Sequence, residues 1–181
     1  MLIESVILVD NIDNEIGICE KLEAHRKGLL HRAISVFVFR KIENGYELLL
    51  QQRNKKKYHS GGLWTNTSCS HPRPKEQTIA AAQRRLKEEM GFETPLSYAG
   101  SFLYTAIFSH DMVENEFDHV FIGFYEDQTI SPDPAEVADY KWVDTASLLI
   151  DIDKNSKKYT AWLAPALDIA LKKLDRIDLR Y

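Results

Sequence analysis

A cysteine and a histidine stand two residues apart in the segment "TNTSCSHP", residues 65–72. Cys69 could be a spectator, half of a disulfide, a metal ligand or a catalytic group, and His71 could be a ligand beside it. The chain holds two cysteines, Cys19 and Cys69. Disulfides are rare in reducing compartments, and the N-terminus has no pattern of an export signal. The sequence therefore argues against a disulfide and leaves the other roles open.

Two glutamates alternate with other residues in "VENE", residues 113–116. Glu114 and Glu116 would share one face of a strand, because successive side chains point to opposite faces. Two like charges side by side on an apolar strand are costly unless solvent or a cation relieves them. The pair therefore predicts either a solvated face or a site for a positive ion. Histidines, which singly are more often structural, add three candidate ligands: His25, His31 and His71.

Charged residues also cluster between Glu76 and Met90, where the apolar residues recur at steps of three and four. This spacing predicts a helix, and Gly91 supplies its stop. The periodic apolar positions are Ile79, Ala82, Leu86 and Met90. The charged residues of such a helix ordinarily form ion pairs one turn apart on a solvated face, and here they are Arg84, Arg85, Glu88 and Glu89.

The elements that must position these residues follow from hydrophobic periodicity and turn residues. We expect strands at residues 5–10, 33–39, 46–53, 63–70, 98–108, 115–125 and 139–144. Asn44-Gly45 predicts a hairpin turn, and residues 11–17 a turn after the first strand. We expect a short helix or loop at 21–28 and a terminal amphipathic helix at 159–177, with Pro165 near a bend. The mixed order predicts an α+β fold in one domain over residues 1–181.

Composition limits the classes of protein that the chain could be. Its 181 residues are 44% apolar and 28% charged, which fits a folded domain. A net charge of -4 argues against a general nucleic-acid binder. No apolar run approaches the roughly 20 residues that span a bilayer. We therefore expect a cytoplasmic protein without a nucleic-acid or membrane partner, and a monomer, with a homodimer as the alternative.

The predicted helix and its flanks resemble the Nudix box, GX5EX7REUXEEXGU, in which U is an aliphatic or large apolar residue. The matching positions are Glu76, Arg84, Leu86, Glu88, Glu89, Gly91 and Phe92. Ser70 replaces the first glycine, and Arg85 replaces the glutamate that follows the arginine. In Nudix hydrolases the carboxylates of the box bind the divalent ions that activate water on a diphosphate. An arginine at one of these positions argues against hydrolysis and favours a Nudix fold with different chemistry.

Further motifs make the resemblance more specific. The segments "AHRKGLLHRAISVFVF", "WTNTSCSHP", "FLYTAIF" and "MVENEFDHVF", with the altered box, resemble type 1 isopentenyl-diphosphate isomerase from about residue 5 to residue 165. The resemblance implies a Nudix-like core with mixed β-sheets and flanking helices. It also implies the reversible conversion of isopentenyl to dimethylallyl diphosphate, a step of isoprenoid biosynthesis. The partner would be a small prenyl diphosphate substrate.

The same resemblance implies a metal site and an acid–base pair. The implied ligands of a protein-held Mn²⁺, Mg²⁺ or Zn²⁺ are His25, His31, His71, Glu114 and Glu116. Moving the double bond needs an acid on one face of the alkene and a base on the other. Glu116 with Tyr104 matches the acid, and Cys69 matches the thiol that takes the other proton. We expect nearby cations to tune the pKa of that thiol.

Substrate contacts are implied as well. Glu89, with the carbonyl of Cys69, matches the group that holds a second ion, Mg²⁺, on the diphosphate. The residues that match phosphate contacts are Lys21, Arg53 and Lys57, with Arg85 as a further candidate. Trp162 matches an aromatic residue that stabilises a carbocation, and Trp64 is a candidate because it lies near Cys69 in sequence.

Two other functions stay open at this point. A Nudix diphosphohydrolase would need more carboxylates in the box and would have no use for Cys69. A catalytically inactive metal-binding or partner-binding protein would need none of the acid–base residues. The product of an assay with isopentenyl diphosphate separates the three functions, since they yield dimethylallyl diphosphate, inorganic phosphate or neither.

Overall fold

The computed structural model describes residues 4–108 and 112–178, so the first three, the last three and residues 109–111 of the predicted domain lie outside it. The strands are β1 Ser5–Val9, β2 Glu15–Glu20, β3 His31–Ile42, β4 Gly45–Arg53, β5 Trp64–Thr65, β6 Ser68–Ser70, β7 Leu96–Phe108, β8 Met112–Phe124 and β9 Val137–Asp144. The helices are α1 Lys21–Lys27, α2 Thr78–Met90, α3 Thr145–Lys154 and α4 Leu163–Asp178, with a 3₁₀ turn at Ser156–Lys158. The predicted α+β fold class is confirmed. Within these ranges, no helix is both long and apolar enough to cross a membrane.

Strand β3 is the centre of the sheet because it pairs with four other strands. It runs parallel to β8, with His31 opposite Glu116. It runs antiparallel to β6, with Ser35 opposite Cys69, and antiparallel to β1 and β4. Its continuous apolar run is buried on both faces, as is typical of a strand covered on both sides. The register of β3 therefore sets the positions of β6 and β8, which lie along its two opposite edges.

The core has two layers that follow the alternation of side chains along β3. Phe37 and Phe39 pack with α4, and Val36 and Val38 pack with α2. In α2 the predicted periodic residues Ala82, Leu86 and Met90 are fully buried, and Ile79 packs against them. The two helices therefore cover opposite faces of the sheet and leave the ends of β3, β6 and β8 to form a cavity.

The end of α2 is fixed by a glycine, as predicted. Gly91 caps the helix in the left-handed conformation with φ 75°. A Cβ atom at this position would lie 2.2 Å from the carbonyl oxygen of Ser131. Both the backbone angle and the close approach therefore require glycine here.

Three boundaries differ from the sequence-based expectation. The predicted turn at 11–17 includes the start of β2, an edge strand whose largely exposed side chains carry no core pattern. The predicted strand at 63–70 is two short strands, because Asn66 and Thr67 use their side chains to bond neighbouring backbone. The last helix starts at Leu163, so Pro165 lies in its first turn and requires no bend.

Candidate active site

Five predicted ligands converge at one end of the cavity, although they come from four separate parts of the chain. His25 lies on α1, His31 opens β3, His71 follows β6, and Glu114 and Glu116 lie on β8. One ligand atom from each residue lies within 4.8 Å of the others. The alternation predicted for the two glutamates places both on the buried face of β8. The structure therefore brings together all five residues named from the sequence.

Two of the histidines are oriented by the backbone. Nδ1 of His25 lies 2.6 Å from the carbonyl oxygen of Lys21, and Nδ1 of His31 lies 2.8 Å from that of Leu29. A carbonyl only accepts, so each Nδ1 carries the proton in the neutral ring. The Nε2 lone pairs then face the centre of the cluster, as in histidines that bind metal ions.

The centre of the cluster favours positive charge. Nε2 of His31 lies 3.2 Å from Nε2 of His71, and Nε2 of His25 lies 3.2 Å from Oε2 of Glu114. That oxygen is buried and has no hydrogen-bond partner among the described residues. Lone pairs that face each other in a buried site repel unless a proton or metal ion lies between them. Three imidazole nitrogens with carboxylates fit a divalent cation but do not select one.

The pKa shifts agree with this electrostatic picture. Burial lowers the pKa of His71 to about 3, so its ring keeps a free lone pair at neutral pH. Burial also opposes protonation of His25, but the adjacent Glu114 carboxylate outweighs it and raises the pKa of that ring. His71 is therefore held in its metal-binding form, and the Glu114 carboxylate attracts positive charge, a proton or a metal ion, to the position where it meets His25.

Tyr104 and Glu116 form a pair across β7 and β8. They occupy opposite positions in the antiparallel register. The Tyr104 hydroxyl donates to Oε2 of Glu116, and the other oxygen, Oε1, lies 2.8 Å from Nε2 of His71. Burial and then the charge of Glu116 raise the pKa of Tyr104 well above its usual range. The phenol therefore keeps its proton and can pass it only together with the carboxylate.

Cys69 lies on the other side of β3 from Glu116, and Nη1 of Arg53 is 3.5 Å from its sulfur. We expected nearby cations to tune this thiol. The cation is present, but burial outweighs it and raises the pKa of Cys69 to about 12. In the protein without substrate the residue is therefore a neutral thiol rather than a thiolate.

One cavity connects the two groups of residues. The residues that line it include Cys69, the pair of Tyr104 and Glu116, and Trp162. The basic residues named from the sequence also line it, and they are Lys21, Arg53, Lys57 and Arg85. A substrate in this cavity would contact the cations at one end and the acid–base residues at the other.

Three of the four basic residues are already paired with carboxylates, whereas Arg53 contacts the sulfur of Cys69 and the carbonyl oxygen of His59. Lys57 bonds Glu136, and Nη2 of Arg85 lies 3.3 Å from the same carboxylate. Lys21 lies 2.8 Å from Glu4. Burial raises the pKa of Glu136, but hydrogen bonding to Lys57 and the charge of Arg85 outweigh it, so the pKa is lowered overall. Acidic side chains thus already occupy binding positions on Lys21, Lys57 and Arg85.

The two predicted tryptophans differ in position. Trp162 is buried, donates its Nε1 proton to Oδ1 of Asn66 at 3.1 Å, and lies 5.3 Å from the guanidinium of Arg53. Trp64 packs against the hydrophobic core and lies under Nζ of Lys141 at 4.1 Å, and it is not in the cavity wall. Closeness to Cys69 in sequence was misleading, because the chain bends between β5 and β6.

Glu89 is buried beside the cavity rather than in its wall. One oxygen accepts a hydrogen bond from Gln51 at 2.6 Å, and the other accepts one from Arg85 at 3.1 Å. Its predicted role in holding Mg²⁺ would require at least one of these partners to yield. The charged residues of α2 also form the ordinary ion pairs expected of a solvated helix, since Arg84 contacts Glu76 and Glu88.

Sequence reasoning missed several residues of this site. His59 lies 2.7 Å from Glu114, and Tyr58 covers His25. Asp118 shares the buried face of Glu114 and Glu116, and burial raises its pKa well above the usual range. The alternation that revealed the two glutamates would also have revealed Asp118. The loop that carries His59 has no periodic pattern that could have done so.

Comparisons with known proteins agree with this arrangement. A model of the NUDIX domain matches residues 29–163. The isopentenyl-diphosphate Delta-isomerase 2 of Aromatoleum aromaticum is 49% identical over 165 residues, which are 91% of this chain and 85% of the relative. The isopentenyl-diphosphate Delta-isomerase of Burkholderia multivorans is 50% identical over 159 residues, 88% of both proteins.

Solved structures agree on the fold. A protein of Deinococcus radiodurans superimposes with a TM-score of 0.70 at 19% identity, over 90% of this chain and 96% of its own. The NUDIX domain of NrtR from Shewanella oneidensis, solved with ADP ribose, superimposes with a TM-score of 0.62 at 16% identity, over 80% and 87%. At such identities these likenesses concern the fold alone.

Proposed function

The chain belongs to the Nudix family and, within it, to the isopentenyl-diphosphate Delta-isomerases, and from this premise we propose how its cavity performs that isomerisation. The protein interconverts isopentenyl and dimethylallyl diphosphate by adding a proton to one carbon of the allylic unit and removing one from another. The observation that carries the proposal is that the Tyr104–Glu116 pair and Cys69 line the same cavity. The hydrolase alternative has no comparable support.

The proton transfers need two separate groups. Protonation of the terminal alkene carbon gives a tertiary carbocation, and loss of a proton from the neighbouring CH₂ completes the shift. The Tyr104–Glu116 pair supplies the first proton: the phenol gives its proton to the carbon and takes another from the carboxyl group of Glu116, which has taken up a proton from solvent before this step. Cys69 exchanges the second proton. Its thiol is neutral before substrate binds, so it can donate a proton directly in the reaction from dimethylallyl to isopentenyl diphosphate. In the opposite direction Cys69 must accept a proton as a thiolate, and the nearby charge of Arg53 favours that form.

The three histidines with Glu114 and Glu116 would hold one divalent ion, for which Mn²⁺, Mg²⁺ and Zn²⁺ are the candidates. When bound, such an ion makes the carboxyl group of Glu116 more acidic and fixes its orientation. The fit of the donor set supports this proposal.

The basic residues hold the diphosphate. Lys21, Arg53 and Lys57 would contact its oxygens together with Arg85 once Glu136 and Glu4 yield, and Mg²⁺ would accompany the substrate near Glu89 and the carbonyl of Cys69. Trp162 would stabilise the carbocation by cation–π contact, worth up to roughly 2 kcal/mol where water is excluded. Its hydrogen bond to Asn66 keeps the ring in the cavity wall.

An assay in heavy water tests the proposal. The enzyme, supplied with Mg²⁺ and isopentenyl diphosphate, should form dimethylallyl diphosphate with deuterium in its methyl group, because the proton on Tyr104 exchanges with solvent. The Cys69→Ala variant should keep its fold and lose turnover by at least about 10²-fold. Product without deuterium, or release of inorganic phosphate as the main reaction, would contradict the proposal.

Three properties of the protein stay predictions from the sequence. They are its cytoplasmic location, its monomeric state with a homodimer as the alternative, and the single domain over residues 1–181. No assembly contact enters the proposed chemistry, since the residues assigned to it come from one chain.

A further inference from the structure

The loop between β4 and β5 has a backbone that permits few conformations. Ser60 and Gly62 adopt positive φ angles of 51° and 81°. A Cβ atom at Gly61 would lie 2.7 Å from the carbonyl oxygen of Lys55. A tight turn of this kind fixes the direction of the residue before it, which is His59.

His59 points from this loop into the metal end of the cavity. Its side chain is 5% exposed, and its Nε2 atom lies 2.7 Å from Oε1 of Glu114. The other ring nitrogen, Nδ1, lies 3.3 Å from the hydroxyl oxygen of Ser60. A hydroxyl can donate to Nδ1, whereas a carboxylate only accepts. The network therefore assigns the ring proton to Nε2, which donates to Glu114.

The two oxygens of Glu114 thus have different surroundings. Oε1 accepts the bond from His59, and Oε2 faces Nε2 of His25 at 3.2 Å without a hydrogen-bond partner among the described residues. We propose that His59 is a positioning residue of the metal centre: it occupies one oxygen of Glu114 so that the other is the ligand. This inference rests on the metal centre of the proposed function.

The physical effect has two parts. A carboxylate held at one oxygen binds an ion through the other with a fixed orientation, so less conformational entropy is lost on binding. It also leaves coordination positions to the three histidines and Glu116 that a bidentate Glu114 would take. His59 lies outside the group of five converging ligand atoms, so its effect passes through Glu114.

Packing is the rival explanation for this histidine. Its ring stacks on Phe108 with centroids 5.0 Å apart and meets Trp162 edge-on at 6.1 Å. If the ring only filled space, a phenylalanine would replace it without consequence for the metal. If the bond to Glu114 matters, a glutamine would replace it instead, because its amide nitrogen can reach a similar position and donate.

The test measures Zn²⁺ and Mn²⁺ affinity by competition with a chromophoric chelator, without substrate. His59→Phe should weaken affinity about 10–100-fold, the usual effect of losing a partner of a metal ligand, and His59→Gln should stay within about threefold of wild type. Circular dichroism and thermal melting of the metal-free proteins report folding. If His59→Phe does not fold, His59→Met against His59→Gln makes the same comparison, because the two differ mainly in the donor.

The Glu114→Ala background shows whether the effect passes through Glu114. There, His59→Phe should cause no further loss of affinity. Unchanged affinity in His59→Phe, equal loss in the glutamine variant, or the same loss with and without Glu114 would overturn the inference. If any of these results is found while the wild-type protein still binds metal, the inference about His59 fails but the metal centre of the proposed function stands. A wild-type protein that binds neither ion overturns the metal centre and this inference together.

Discussion

The two ends of the cavity are built in opposite ways. At the metal end His25 and His31 are fully buried and bonded to backbone carbonyls, and they lie beside Oε2 of Glu114, which has no hydrogen-bond partner in the described part of the chain. At the basic end Lys57 and Glu136, with 24% and 25% of their side chains exposed, already neutralise each other. The metal end presents nitrogen and oxygen lone pairs that face one another across its centre, where a positive ion would fit. In the proposed function, the other end would exchange a carboxylate for the diphosphate of the substrate.

This difference suits the ligands. A resident ion benefits from a rigid site, because ordering flexible ligands would weaken its binding. A substrate must be able to enter and leave. The ion pairs that the cations form with carboxylates in the empty protein are lost when the substrate binds, and this loss offsets part of the binding free energy. We therefore expect substitutions at the metal end to change both metal content and turnover, and substitutions at the basic end to change mainly the Michaelis constant.

The largest effect should separate the two members of the acid pair. Glu116→Gln should lose metal affinity and turnover together, because the carboxylate is assigned to both. Tyr104→Phe should lose turnover by about 10²–10⁴-fold, the usual contribution of general acid catalysis, and keep its metal. Metal analysis and kcat of both variants make the measurement. Equal metal loss in both would show that the phenol also supports the metal end.

A smaller effect is expected at the basic end. Lys57→Met should lower kcat/KM about tenfold through KM, since a charge-assisted hydrogen bond is worth about 1.5–3 kcal/mol and Lys57 already has a partner. Lys56→Met is the matched control, because that side chain is exposed in the same loop. Steady-state kinetics with isopentenyl diphosphate decide the matter. A change in kcat alone would assign Lys57 to the chemical step instead.

The smallest effect concerns Glu136. Its lowered pKa means that its ion pairs stabilise the protein above the unfolded pKa, about 4.3, and that this stability is lost as pH falls through the folded pKa. Glu136→Gln should therefore lower the melting temperature at pH 7, and the difference from wild type should shrink as pH falls below about 4.3. Inorganic pyrophosphate with Mg²⁺ should raise the melting temperature of this variant more than that of wild type. The same rise in both proteins would mean that Glu136 does not compete with the diphosphate.

Much of the site was predictable where local spacing decides geometry. The single residue between Glu114 and Glu116 fixes their common face, because a strand alternates its side chains. The helical steps to Met90 and the following Gly91 predicted α2 and its end. Edge strand β2 escaped prediction because its side chains are largely exposed. The bend between β5 and β6 escaped prediction because its buried side chains are polar and bond to backbone groups, so they impose no apolar pattern.

By itself, the sequence determined which groups could do chemistry: the thiol of Cys69, the alternating glutamates and the family motifs around them. Only the tertiary structure decided how these groups are charged and held. Burial raises the pKa of Cys69 despite Arg53, and His59 reaches Glu114 from a loop 55 positions earlier in the chain. Such effects depend on desolvation and on contacts between distant segments. Both arise from the register of β3, β6 and β8 and from the path of the loop between β4 and β5, and spacing along the chain does not reveal them.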